Sequence, residues 1–197
     1  MCGRYTLADP AADLAERFSF DLDDLELPPR YKIAPSQPVL AIGPERGARL
    51  LRWGLVTDDP RRSPINLRCE PYMKRLPRLR RCLIPADGFY EWKQVAGRKL
   101  PYRFTLRDGG PFAFAGLCND TSCAILTTSP NELVATVHDR MPVILRPDLE
   151  AFWLDPAARD LSPAFAPYPS EAMAACAVST RVNSPRNDDA ACIAPLA

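Results

Sequence analysis

Histidine is nearly absent from this chain: His138 is the one copy among 197 residues. Any imidazole chemistry must therefore run through that position. No two cysteines stand in Cys-x-x-Cys spacing, and the seven present (Cys2, Cys69, Cys82, Cys118, Cys123, Cys176 and Cys192) are scattered. No metal site is expected from such a set, since one histidine and dispersed thiols make poor zinc ligands. There is no run of about 18 apolar residues, so no membrane span is expected. The start has no basic region followed by an apolar core, so no signal peptide is expected either. A reducing cytoplasmic setting follows, in which most of the cysteines read as buried small hydrophobes. Net charge is also scarce, at +1, which by itself argues neither for nor against a nucleic-acid partner.

Proline is plentiful, at 22 of 197 residues, about twice the ordinary ~5%. It is spread along the chain, which predicts short elements and many connections. The length suits one domain over residues 1–197, large enough to bury a core without staples. Asp9-Pro10 ahead of Ala11 to Phe18 reads as a helix with Asp9 at its cap. Strands are predicted at Val39 to Ile42, Arg49 to Trp53, Cys82 to Ile84, Phe89 to Trp92, Tyr102 to Leu106, Phe112 to Leu117, Ser122 to Thr127 and Met141 to Leu145. Asp108-Gly109-Gly110 reads as a hairpin turn. Ser129-Pro130-Asn131-Glu132 reads as a capping box opening a short helix, and Asp148 to Leu154 as another helix. Strands outnumber helices and do not alternate regularly with them, which predicts an α+β fold with peripheral helices.

The charges are unevenly placed. Arg61, Arg62, Arg68, Lys74, Arg75, Arg78, Arg80 and Arg81 lie within one stretch opposed only by Glu70. Such a run is either an electrostatic footprint for phosphates or a solvated face.

Four positions could carry chemistry. Once Met1 is removed, Cys2 offers an α-amine and a thiol on adjacent carbons, with reference pKa values of roughly 7.7–8.0 and 8.5. An aldehyde can condense with that amine, and the thiol can then close a five-membered thiazolidine. The bland alternative is a buried small hydrophobe. Glu91 sits between aromatics in Gly88-Phe89-Tyr90-Glu91-Trp92-Lys93. Strand alternation turns it away from Tyr90 and Trp92. It either faces solvent or is buried with a raised pKa suited to general acid–base work. His138 is a catalytic imidazole or a core-edge side chain beside Asp139 and Arg140. Asn66 could orient an amine through its amide or simply sit in a turn.

Together these motifs resemble the SRAP (SOS response-associated peptidase) family. The resemblance rests on Cys2-Gly3-Arg4-Tyr5, Tyr31-Lys32-Ile33-Ala34-Pro35, Trp53-Gly54 and the Asn66/Arg68/Glu70 cluster. It continues in order through Gly88-Phe89-Tyr90-Glu91-Trp92-Lys93, His138-Asp139-Arg140-Met141-Pro142 and Val178-Ser179. It implies an α+β fold around a curved, mainly antiparallel β-sheet. It also implies a cytoplasmic, nucleoid-associated monomer that binds single-stranded DNA and crosslinks to abasic sites, with lyase and Met1-removing peptidase activity. Carried over, Cys2 is the nucleophile, Asn66 positions its amine, Glu91 is the general acid–base and His138 stabilises or protonates the opened sugar. Arg4 and Arg68 hold phosphates, Glu70 belongs to the same DNA-binding cluster, and Pro35 and Thr127 line the strand's path. No cofactor or metal is implied. The chain departs from the family pattern at Leu67 and Pro71 around Arg68-Cys69-Glu70, at Lys32, and at Leu55-Val56-Thr57-Asp58-Asp59, where aromatics are common. Two other readings stay open: a thiol peptidase of N-terminal-nucleophile type, and a non-covalent single-strand binding module.

Overall fold

The structure, a computed structural model, describes residues 2–23, 25–59, 62–72 and 80–196. Met1 and the basic residues Arg61, Lys74, Arg75 and Arg78 lie outside the described residues. The strands are β1 (Tyr5–Leu7), β2 (Arg30–Ile33), β3 (Pro38–Ile42), β4 (Ala48–Trp53), β5 (Asn66–Arg68), β6 (Arg80–Ala86) and β7 (Gly88–Val95). They continue with β8 (Arg98–Leu106), β9 (Phe112–Cys118), β10 (Ser122–Thr128), β11 (Met141–Pro142), β12 (Ile144–Leu145) and β13 (Met173–Ala177). The helices are α1 (Ala11–Phe18), α2 (Glu132–Ala135) and α3 (Pro147–Leu154).

One sheet is antiparallel throughout, in the order β13-β8-β7-β1-β2. The other curls on itself. β10 pairs β4, which leads through β3 and β6 to β9, and β9 pairs β10 again, closing a ring. Closure removes exposed edges from those strands. The fold is thus α+β, with mostly antiparallel sheets and few short helices.

The two sheets meet through aromatic side chains. Tyr5, on β1, sets its ring edge-on to Trp53 and Phe114 at centroid distances of 5.2 and 5.6 Å, while Phe89 stacks on Phe104 at 5.0 Å across the β7–β8 pair. All five rings are fully buried, each removing on the order of 150–250 Å² from water. This wall fixes β1, and with it the position of the amino-terminal residues.

Two glycines of the sequence motifs have steric reasons. A Cβ on Gly88 would lie 2.7 Å from Arg103 Nε and 2.9 Å from Thr6 Oγ1, in the space of a buried network where Arg103 pairs with Asp87. Gly54 has φ +129°, and a Cβ there would meet the Arg52 guanidinium at 3.2 Å.

Local expectations fail at several points. Asp9 does not cap α1: Pro10 occupies that position without a side-chain cap bond, because a carboxylate one residue early cannot reach the first free N–H groups. Ser129 is likewise not the cap of α2. Asn131 is, accepting from Val134 N–H at 2.9 Å. The Asp108-Gly109-Gly110 turn joins β8 to β9, which belong to different sheets, so it is a crossing between sheets and not a hairpin. The run Met141 to Leu145 is split at Val143, with β11 pairing β10 and β12 pairing β9. Asn66 lies on a short strand, β5, parallel to β10. β1, β2 and β13 are also strands that periodicity does not reveal, since each is too short or borrows its neighbours' registry.

Candidate active site

β1 and β5 bring Cys2 and Asn66 together at the seam between the sheets. Asn66 Nδ2 donates to the Cys2 carbonyl at 2.7 Å, and its Oδ1 is buried with no partner among the described residues. The Cys2 thiol, fully buried, points to the Arg4 carbonyl at 3.5 Å. That same carbonyl accepts from Tyr90 N–H at 3.0 Å, so Cys2 sits beside the stretch of β7 that carries Glu91. Burial, and secondarily the Glu91 charge, push the Cys2 thiol far above its usual range, holding it as S–H.

Glu91 is 2% exposed, so the solvent-facing alternative fails. Its strand face turns into the seam, opposite Tyr90 and Trp92, and burial pushes its carboxyl up to about 7. His138 Nε2 lies 4.0 Å from Glu91 Oε2. Its Nδ1 accepts the Arg140 N–H at 3.0 Å and also lies 3.0 Å from Asp139 Oδ1. The backbone donor is fixed, whereas the Asp139 side chain is largely exposed. A nitrogen that accepts carries no proton, so the imidazole proton belongs on Nε2, facing Glu91. Partial burial holds the His138 pKa below its ordinary value, favouring this neutral form.

A cavity of about 440 Å³ opens in front of this pair, lined by Arg4, Glu91, Trp92, Lys99, His138 and Asn183. The Arg4 guanidinium stacks on Trp92, 4.9 Å from the ring centroid, and Trp92 Nε1–H donates to Asn183 Oδ1 at 2.8 Å.

Beyond Asn66, β5 ends at exposed Arg68, in register with Thr127. Glu70 is engaged by Arg140, which holds its carboxyl below the usual range. Arg140 Nη2 also donates to the Thr127 carbonyl at 2.6 Å. Thr127 itself is fully buried, with its hydroxyl 3.3 Å from the Leu67 carbonyl. It therefore supports Arg140 from beneath. Pro35 is exposed on the turn after β2, where Ser36 N–H donates to the Trp53 carbonyl at 2.7 Å.

The basic stretch does not form one patch among the described residues. Arg62 lies 3.7 Å from Asp59, Arg80 pairs with Asp120, and Arg81 bonds the Asp155 carbonyl and covers Trp153. Strand alternation and neighbouring acids disperse the four described residues Arg62, Arg68, Arg80 and Arg81, and Arg68 makes no ion pair among the described residues. Sequence reasoning passed over Arg140 and Trp92, although both stand inside motifs it used. Lys99 and Asn183 carry no local signal, because only the β7–β8 pairing and the carboxy-terminal fold bring them here.

Fold and site together define an α+β protein with a buried amino-terminal cysteine beside a carboxyl–imidazole pair at the seam of two sheets. The chain belongs to the SOS response associated peptidase (SRAP) family, whose model matches residues 1–185. It is 39% identical to the abasic site processing protein YoqW of Bacillus subtilis, over 95% of this chain and 96% of that one. To the abasic site processing protein YoaM of the same organism it is 40% identical, over 96% of each chain. A solved protein from Bacteroides thetaiotaomicron has the same fold, with a TM-score of 0.80 at 22% identity, over 93% of this chain and 97% of that one.

Proposed function

We propose that this protein senses abasic sites in single-stranded DNA and bonds covalently to them through Cys2. The observation that carries this reading is the convergence of Cys2, Asn66, Glu91 and His138 at one seam. With Met1 removed, the Cys2 amine attacks the aldehyde carbon of the ring-opened deoxyribose. Water leaves to give the imine, and the thiol then adds to the imine carbon. The sulfur's proton passes to nitrogen, and a thiazolidine results with net loss of one water. The unpartnered Asn66 Oδ1 suits an N–H of the new terminal amine. A carboxyl titrating at about 7 can both protonate the departing hydroxyl and take up the thiol proton at neutral pH. In this reading His138, whose Nε2 lies 4.0 Å from Glu91 Oε2, donates its Nε2–H to the sugar oxygen.

The thiol favours this chemistry over peptidase attack on other proteins. A thiol peptidase needs the thiolate, whereas burial holds Cys2 as S–H. Amine-first attack needs no thiolate. Removal of Met1, with Glu91 taking up the thiol proton during that single self-cleavage, and strand cleavage through the imine belong to the proposal, as does action as a cytoplasmic monomer.

The test is a denaturing gel of the mature protein with single-stranded DNA carrying one abasic site, run without borohydride. A shifted covalent band is expected. It should vanish in Cys2→Ala and when Met1 is retained behind an amino-terminal tag. A full-strength band from the tagged protein would refute the mechanism.

A further inference from the structure

We infer that Cys118 and Cys123 are a redox modification site, at which hydrogen peroxide oxidises Cys118 and Cys123 then closes a disulfide with it. Neither thiol takes part in the chemistry at the Cys2 seam. The two residues stand directly opposite each other on the antiparallel pair β9–β10. The Cys123 carbonyl turns away from β9 and accepts from Gly54 N–H, just after β4, at 2.9 Å. One step nearer the turn, Asn119 N–H donates to the Ser122 carbonyl at 3.0 Å. Cys118 and Cys123 are therefore a non-hydrogen-bonded pair, with Cα atoms about 4.5 Å apart and side chains on one face. A disulfide needs a Cα separation of about 4.4–6.8 Å, so this one can close without moving the backbone.

A third thiol supports the pair. On β6, Cys82 lies opposite Gly116, and Arg80 lies opposite Cys118. Cys82 is thus the diagonal neighbour of Cys118, roughly 7–8 Å away along the backbone, too far to bridge. Gly116 gives its side chain room: a Cβ there would lie 2.8 Å from Cys82 Sγ. The Cys82 thiol hydrogen-bonds the Cys118 sulfur, and so does Arg49. That Cys82 donor, followed by the Arg49 and Arg80 charges, holds the Cys118 thiol below its usual range. Burial pushes Cys123 and Cys2 the other way. Cys118 is the nucleophile, Cys123 the resolving thiol and Cys82 a positioning residue. All three are buried. Cys118, however, ends β9 beside the turn at residues 119–121, where the Asp120 side chain is 85% exposed, and opening of that strand end admits a molecule as small as peroxide. The Cys118 thiolate attacks one peroxide oxygen and the O–O bond breaks. The hydroxide released takes up the proton that Cys118 had lost. Cys123 then attacks the Cys118 sulfur, and its proton leaves with the hydroxyl as a second water. Two thiols lose two electrons, and the peroxide gains them. In a reducing compartment such a bond is transient and signals oxidant.

The experiment treats the full mature protein with hydrogen peroxide at pH 7, alkylates the remaining thiols after unfolding, and digests it unreduced with trypsin and a protease that cuts before aspartate. Mass spectrometry should find peptides 108–119 and 120–138 joined through Cys118 and Cys123, and separated again by dithiothreitol. Cys2 and Cys82 should be recovered alkylated. This map needs no variant. Cys123→Ala should leave a sulfenic acid on Cys118 that dimedone traps. Cys82→Ala should slow the oxidation about three-fold, since a smaller thiolate fraction is partly offset by the stronger nucleophilicity of a more basic thiol. Cys82→Ser, which keeps a donor, should restore the rate. Oxidation spread over all the cysteines, oxidation of Cys2 ahead of Cys118, a bond between Cys82 and Cys118, or no oxidation of the folded protein would each overturn the inference.

Discussion

Burial that leaves Glu91 titrating at about 7 sets how the protein should respond to pH. The folded state holds the proton more tightly than the unfolded chain, whose glutamate titrates near 4.5. Between those values the native state binds more protons, so stability falls as pH rises through the window. The full cost, about 3 kcal/mol from the shift, is present only above pH ~7. Glu91→Gln removes it. Urea midpoints should coincide for variant and wild type near pH 4.5, and the variant should be the more stable at pH 8. Parallel pH profiles would mean that Glu91 does not titrate in this window. The same variant should crosslink abasic DNA about 10²–10⁴-fold more slowly, the usual contribution of an acid–base group, so stability and activity should move in opposite directions at pH 8.

Among the elements, β2 shows how an edge is protected. It is the last strand of its sheet, and such edges invite pairing with other chains. Asp188 covers it, accepting from the Tyr31 and Lys32 N–H groups and from Arg30 Nε, each at 2.7 Å. Lys32, a departure from the family pattern, is buried and sends its ammonium to the Ser184 carbonyl at 2.7 Å. The departure thus fastens the carboxy-terminal segment that also supplies Asn183 to the cavity. Asp188→Ala leaves three donors without their acceptor. About 2 kcal/mol should be lost, seen as a lower urea midpoint at unchanged slope. An unaltered midpoint would show that water replaces the carboxylate at no cost. Asp188→Asn, which keeps one acceptor oxygen, should fall between.

At the scale of the whole molecule, the distribution of charge predicts which cations would carry the salt dependence of the proposed strand binding. Arg68→Ala should reduce the salt dependence of single-strand binding by about 0.7 in log–log slope, equally for intact and abasic strands. Arg80→Ala and Arg81→Ala should leave it unchanged, because those side chains are tied to Asp120 and to the Asp155 carbonyl. Equal losses from all three would restore the single basic patch that the sequence suggests. The sequence alone determined the long, strongly patterned strands, since alternation and β-branched residues act locally. It also determined the order of the motifs, and the family resemblance that those motifs carry is what singles out Cys2, Glu91, His138 and Asn66 as candidates. It could not decide the short strands β1, β2, β5 and β13, which are extended only because longer strands pair with them. Only the tertiary structure decided that Glu91 is buried and not solvated, that Thr127 lies behind Arg140, and that Arg62, Arg68, Arg80 and Arg81, the described residues of the basic run, are dispersed. Each of these depends on which distant backbone lies alongside, and that is set by sheet closure and packing at long range.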